Sequence, residues 1–242
     1  MKRMTRRDLV AAGAAAVALG PGALQALAVD EIELTHPIVE LRHYTLVPGK
    51  REALIELFDR VFIEGVEATG ACIVGMFRDR DASDHFIWLR SFKDMPTRAA
   101  ALNAFYTGPV WRQYAKAANA TMIDSDDVYL LQQMGDRVRL PRFRPPRSEN
   151  TASGAMFVVD IYPAERISRE TFMERAHRAP HLFATLESVR AENNYPPLPV
   201  HSEWVWVAAR RFHEPGPVAP IADLPPPVRT LRLQATSRSL LQ

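Results

Sequence analysis

The order in which the hydrophobic period changes between residues 38 and 132 constrains this chain most. From Ile38 the pattern alternates, with Val39, Leu41, His43 and Thr45 on one face and Glu40, Arg42, Tyr44 and Leu46 on the other, a strand that ends at Pro48-Gly49-Lys50. Leu54, Leu57, Phe58, Val61 and Phe62 then share one helical stripe. Gly70 precedes a second strand over 71–77, and a charged turn leads to a third, where Phe86, Trp88, Arg90 and Phe92 alternate with Ile87, Leu89 and Ser91. Leu102, Phe105 and Tyr106 return to helical spacing, which Thr107-Gly108 breaks. Pro109 suits the first position of a new helical piece carrying Val110, Trp111 and Tyr114, and a strand over 126–131 follows. This β-α-β-β-α-β order predicts a ferredoxin-like unit.

In such a unit one sheet face packs on the helices. Two arginines and a glutamate on the faces of Glu40-Arg42-Tyr44 and Trp88-Arg90 predict the opposite face, lining an inter-sheet space, since buried charge needs counter-charge. The alternative is a buried Glu40–Arg42 or Glu40–Arg90 ion pair that only fixes strand pairing. Phe105, Tyr106 and Trp111 at the Gly-Pro joint likewise either wall a cavity or cap a core.

The remainder reads as a trimmed second copy. Residues 135–152 form a linker rich in proline and arginine, expected to be solvated. Within 153–242 a strand over 154–162 places Val158, Asp160 and Tyr162 on one face, a helix runs from Ser168 to about Arg190, and another strand covers 204–212. The prolines of 215–227 exclude the second helix, and 228–234 supplies a closing strand ahead of the C-terminus. His177 and His181 have helical ligand spacing near Glu174, but Pro180 stands between them and no third ligand is identifiable, so no metal site is predicted. Cys72, the single cysteine, lies in an apolar strand and reads as an inert buried thiol.

The first 28 residues are a different kind of sequence. Thr5-Arg6-Arg7-Asp8-Leu9-Val10, an alanine-rich run to Leu19 and Ala26-Leu27-Ala28 make a twin-arginine export signal cut after Ala28. The apolar run is shorter than the ~20 residues of a spanning helix, so the expectation is a periplasmic or secreted protein without stable membrane insertion after cleavage. A net charge of +2 gives no reason to expect nucleic acid as a partner.

With these elements placed, the chain resembles the NIPSNAP family, in its bacterial, tandem form. The resemblance rests on Val39-Glu40-Leu41-Arg42-His43-Tyr44-Thr45-Leu46-Val47-Pro48-Gly49-Lys50 and on the third strand 86–92 with Arg98. The most specific stretches are Phe105-Tyr106-Thr107-Gly108-Pro109-Val110-Trp111 and 118–126, followed downstream by Asn194-Tyr195-Pro196-Pro197-Leu198-Pro199-Val200. It implies an α+β fold of the dimeric α+β barrel superfamily: tandem ferredoxin-like repeats over 37–134 and 153–242, the second lacking one helix.

The resemblance carries over no catalytic set and no cofactor, and it leaves a homo-oligomer open. Three functions compete, the last a purely structural or scaffolding protein whose barrel core is solid. In the first, a small apolar or aromatic molecule binds in the inter-sheet cavity against Trp88, Phe105, Tyr106 and Trp111, with Arg42 or Arg90 meeting a carboxylate or phenolate. In the second, the same pocket is a cofactor-free monooxygenase- or isomerase-like site in which Arg90 stabilises negative charge and Tyr44 or Asp160 moves a proton.

Overall fold

The computed structural model describes residues 31–135, 138–147, 154–214 and 216–242. The expected export signal lies outside them. Strand β1 (Glu31–Glu33) pairs antiparallel with β6 (Arg139–Pro141) as a small ribbon. The other strands close a barrel in the order β10-β3-β4-β2-β5-β8-β9-β7. They are β2 (Ile38–Leu46), β3 (Cys72–Asp79), β4 (His85–Phe92), β5 (Met122–Met134), β7 (Met156–Pro163), β8 (Leu182–Ser188), β9 (Val205–Phe212) and β10 (Arg229–Ala235). Each half has the ferredoxin-like order, with its first and third strands central. Edge strand β5 joins β8, and β10 joins β3, so the barrel closes within one chain. Closure leaves no free sheet edge in the barrel.

The inside is filled by the inward positions of both halves, among them Val39, Leu41, Ile87, Leu131, Phe157, Ile161, Val207 and Leu233. An apolar space of about 50 Å³ lies there, bordered by Val39, Phe77, Phe157, Phe183 and Leu241. Outside the first half, helices α1 (Arg51–Leu57), α2 (Ile63–Glu67), α3 (Met95–Tyr106) and α4 (Pro109–Asn119) cover the sheet. Phe58–Phe62 between α1 and α2 is a π-helical turn, an irregularity common beside functional sites. Asp94 caps α3, and Pro109 opens α4 as its position predicts. Gly108 is required at the joint: a Cβ there would lie 2.6 Å from the Ala104 carbonyl oxygen.

The second half differs from the sequence expectation in one element. The helix read as reaching Arg190 is α5 (Arg169–Arg178), and residues 182–188 are the strand β8. Pro180 cannot continue the helix, and His181 turns the chain with φ of 64°. His177 and His181 therefore do not share a helical face, and the His177 ring bonds the Met173 carbonyl. Among the described residues no second helix follows β9. Its place over the sheet is taken by the proline-rich segment, whose Ile221 is buried against Tyr162, Phe172 and Trp206.

The linker is not simply solvated either. Its described part contains β6, and Arg144 bonds the carbonyls of Arg238 and Ile73 and the Glu67 carboxylate. Cys72 is half-buried, and burial with the nearby Glu67 carboxylate pushes its thiol up to about 11, so it stays protonated. No helix among the described residues is long and apolar enough to cross a membrane.

Candidate functional site

Glu40, Arg42 and Tyr44 stand on the outer face of β2, and Trp88 and Arg90 on the outer face of β4, in register as Glu40–Arg90, Arg42–Trp88 and Tyr44–Phe86. That face looks at the helices, not into the inter-sheet space where the sequence reading put it. Charge is tolerated there because it is paired. Glu40 is fully buried and receives Arg90 Nε at 2.7 Å and Arg42 Nη1 at 2.8 Å on one oxygen. Its other oxygen receives Arg98 Nε, from α3, at 2.7 Å. Burial alone would raise the Glu40 pKa, but Arg90, Arg42 and Arg98 together hold it far below the usual carboxylate range.

The balance of this cluster is unusual. Three guanidinium groups surround a single carboxylate, so two positive charges remain beneath the helices. Some are answered by neutral acceptors. Arg42 donates to the Tyr44 hydroxyl at 3.1 Å and to the Ser125 carbonyl at 3.3 Å, while Arg98 Nη1 donates to the side-chain oxygens of Asn193 and Asn194 at 3.0 and 2.7 Å. Arg90 Nη2, Arg98 Nη2 and Trp88 Nε1 are buried without a hydrogen-bond acceptor. The Arg90 guanidinium lies 5.2 Å from the Trp88 ring centre and 5.8 Å from that of Tyr106. Burial holds the Tyr44 phenol above its ordinary pKa, so it keeps its proton while accepting from Arg42.

Phe105, Tyr106 and Trp111 join this group from the α3–α4 joint. Tyr106 and Trp111 pack edge to face at 4.9 Å, and Phe58 meets Trp88 in the same way at 4.9 Å. Together with Tyr44, Phe62 and Met122 they enclose about 30 Å³, roughly the volume of one water molecule. Tyr195 from the second half stacks on Tyr106. Asn193 also borders an open surface groove of about 520 Å³ that runs past Ser188, Glu192, His201 and Trp204.

Of the sequence-derived candidates, the structure brings together Arg42, Tyr44, Trp88, Arg90, Phe105, Tyr106 and Trp111. Asp160 does not join them. It lies on β7, across the barrel from β2, where Arg210 donates to it at 2.7 Å and Thr230 at 2.7 Å. Tyr162 and Arg210 occupy the register positions of Tyr44 and Arg90, so the second half has its own smaller acid–arginine pair. The sequence reading missed Arg98 and its asparagine partners as site residues. The signal was available for Arg98, which sits on the buried stripe of Ala101, Leu102 and Phe105 at helical spacing. It also missed His43, Asp79, His85 and Asp127, which gather at one end of the barrel.

An in-chain barrel of two ferredoxin-like repeats with helices outside is the architecture of the dimeric α+β barrel superfamily. The NIPSNAP family model matches residues 39–134. No curated protein matches in sequence. Among solved structures, an uncharacterised NIPSNAP-like domain protein from Burkholderia xenovorans is 21% identical, covering 48% of this chain and 94% of its own, with a TM-score of 0.38. A NIPSNAP family protein of unknown function from Agrobacterium tumefaciens is 17% identical over 42% of this chain and 93% of its own, with a TM-score of 0.38. An anthrone oxidase-like protein is 12% identical over 85% of this chain and 94% of its own, with a TM-score of 0.49.

Proposed function

We propose that this chain is an exported protein that binds a small aromatic anion, a carboxylate or phenolate, between the outer face of β2–β4 and helices α1–α4. The observation that carries the reading is the buried surplus of positive charge: three arginines on Glu40, with Arg90 Nη2 and Trp88 Nε1 lacking acceptors beside an aromatic enclosure. Buried donors without partners cost stability unless something satisfies them. An anionic oxygen would do so, and a ring would lie among Tyr44, Phe58, Trp88 and Tyr106. At about 30 Å³ the enclosure is too small for a ring, so the ring must displace Tyr106 and Trp111, which are partly exposed on either side of Gly108. Export is supported by the Arg6-Arg7 signal.

The test is calorimetric titration of the mature protein with 2-naphthoate and with its neutral amide. The acid should bind more tightly than the amide. Arg90→Met should weaken the acid by about 1.5–3 kcal/mol, the range for a charge-assisted hydrogen bond, and leave the amide unchanged. Equal affinity for acid and amide, or none for either, would reject the reading. Export is checked separately: replacing Arg6 and Arg7 by lysine should retain the precursor in the cytoplasm.

A further inference from the structure

At one end of the barrel, five consecutive strands each bring a polar side chain to the inner rim. They are Arg229 on β10, Asp79 on β3, His85 on β4, His43 on β2 and Asp127 on β5. The loop residue His201 adds a sixth, its Nε2 lying 2.8 Å from Asp127 Oδ1. None of them belongs to the arginine cluster on the outer face. We propose that His43, His85 and Asp79 form a binding site for one divalent transition metal ion of the zinc or ferrous class.

The geometry fits that role. One ligand atom from each of the three residues lies within 4.8 Å of the others. His43 Nε2 and His85 Nδ1 are 2.9 Å apart, and Asp79 Oδ2 is 3.7 Å from His85 Nδ1. Metal–nitrogen and metal–oxygen bonds of about 2.0–2.2 Å place neighbouring ligands roughly 3–4 Å apart. Two imidazoles and a carboxylate on one side of an ion leave the opposite side open, the pattern that suits ferrous iron or a catalytic zinc.

The hydrogen bonding around the three residues points the same way. Asp127 Oδ2 lies 3.0 Å from His43 Nδ1, and an ionised carboxylate only accepts, so Nδ1 carries the proton. Arg229 donates to the same carboxylate at 2.7 Å, a shorter contact than the guanidinium's 3.3 Å approach to His43 Nδ1. The Nε2 lone pair of His43 is thereby left to accept from His85 Nδ1, and an ion takes the place of that one shared proton between the two rings. A carboxylate behind a ligating histidine is the usual outer support of a metal site. Asp79 is buried, and one of its oxygens accepts from the Asp81 N–H at 2.8 Å, so the other is left for an ion. Its ion-pair contact among the described residues is His85 alone. Arg51 ties the β3–β4 connection together by donating to the carbonyls of Asp79 at 3.0 Å, Ala82 at 3.1 Å and His85 at 3.4 Å, which holds the backbone of two of the donors in place.

Titration of the untagged mature protein with Co²⁺, followed by visible absorption and by metal analysis after dialysis, tests the proposal. One ion per chain is expected. His43→Gln and His85→Gln should each weaken binding at least tenfold, and Asp127→Asn, which removes only the support, by about 10–100-fold. His177→Gln, outside the rim, should change nothing. Failure of the wild-type protein to take up one equivalent overturns the site, and so does binding that survives both rim substitutions. Should a rim variant fail to fold by circular dichroism, pulsed EPR of the Cu²⁺-loaded wild type decides. Two coupled imidazoles support the site, and one or none overturns it.

Discussion

Arg90 Nε donates to Glu40 Oε2 across 2.7 Å with neither side chain exposed, and this pair is only part of a four-charge cluster. The two members are therefore not equivalent. Losing Arg90 leaves Glu40 with Arg42 and Arg98, whereas losing the Glu40 charge leaves three guanidinium groups beneath the helices without a counter-charge.

Glu40→Gln should accordingly cost about 3–5 kcal/mol, the range for stranding buried charge. Arg90→Met should cost about 1 kcal/mol or less, since it removes one of the surplus charges and keeps an apolar stem. Chemical denaturation of both variants measures the difference. Equal losses would show that the three arginines do not share the carboxylate.

Stability should fall on acidification. Glu40 and Asp127 both have pKa values held below normal in the folded protein, Glu40 by the arginines against its burial, Asp127 by His43, His201 and Arg229 against its own. Their contribution is complete above the unfolded-state value of roughly 4 and drains away as the pH drops toward the folded values. Thermal melts from pH 7 to pH 2 should be flat for these two groups above about pH 5 and decline below. Asp127→Asn should make the decline shallower.

Gly108→Ala should destabilise by about 1–3 kcal/mol, as other over-packed sites do. Its new Cβ meets a backbone oxygen, which cannot rotate away as a side chain would. Gly49→Ala is a useful contrast at a different kind of site: its Cβ would meet nothing within 4 Å, but φ of 77° makes alanine strained there. A melt of Gly108→Ala indistinguishable from wild type would mean that the α3–α4 joint opens freely.

Cutting the chain near Arg147 should leave neither part folded alone. Each fragment would expose two seam strands, β3 and β5 in one and β8 and β10 in the other, together with its half of the shared interior. Mixing the parts should restore one cooperative melt. Two fragments that each unfold cooperatively would contradict a single core.

The sequence by itself determined the elements of the first half and their order. Period-two and period-3.6 patterns are local, and Gly-Pro at 108–109 marks a helix joint for steric reasons that need no neighbours. It also collected most of the outer-face cluster, because residues two apart on a strand share a side wherever the strand goes. What it could not determine was which side. A row such as Glu40-Arg42-Tyr44 looks like an exposed or cavity-lining face until a partner from another element, here Arg98 on α3, supplies the third charge. Strand β8 was hidden because residues 182–188 become a strand by pairing with β5 and β9, far away in sequence. The rim of His43, Asp79, His85 and Asp127 was invisible for the same reason. Its members come from four strands that pair side by side in the order β3-β4-β2-β5, and only that pairing between segments distant in sequence, which sets His43 opposite Asp127, brings their side chains within bonding distance; closing the barrel, driven by burying the inward faces of both halves, then adds Arg229 from β10.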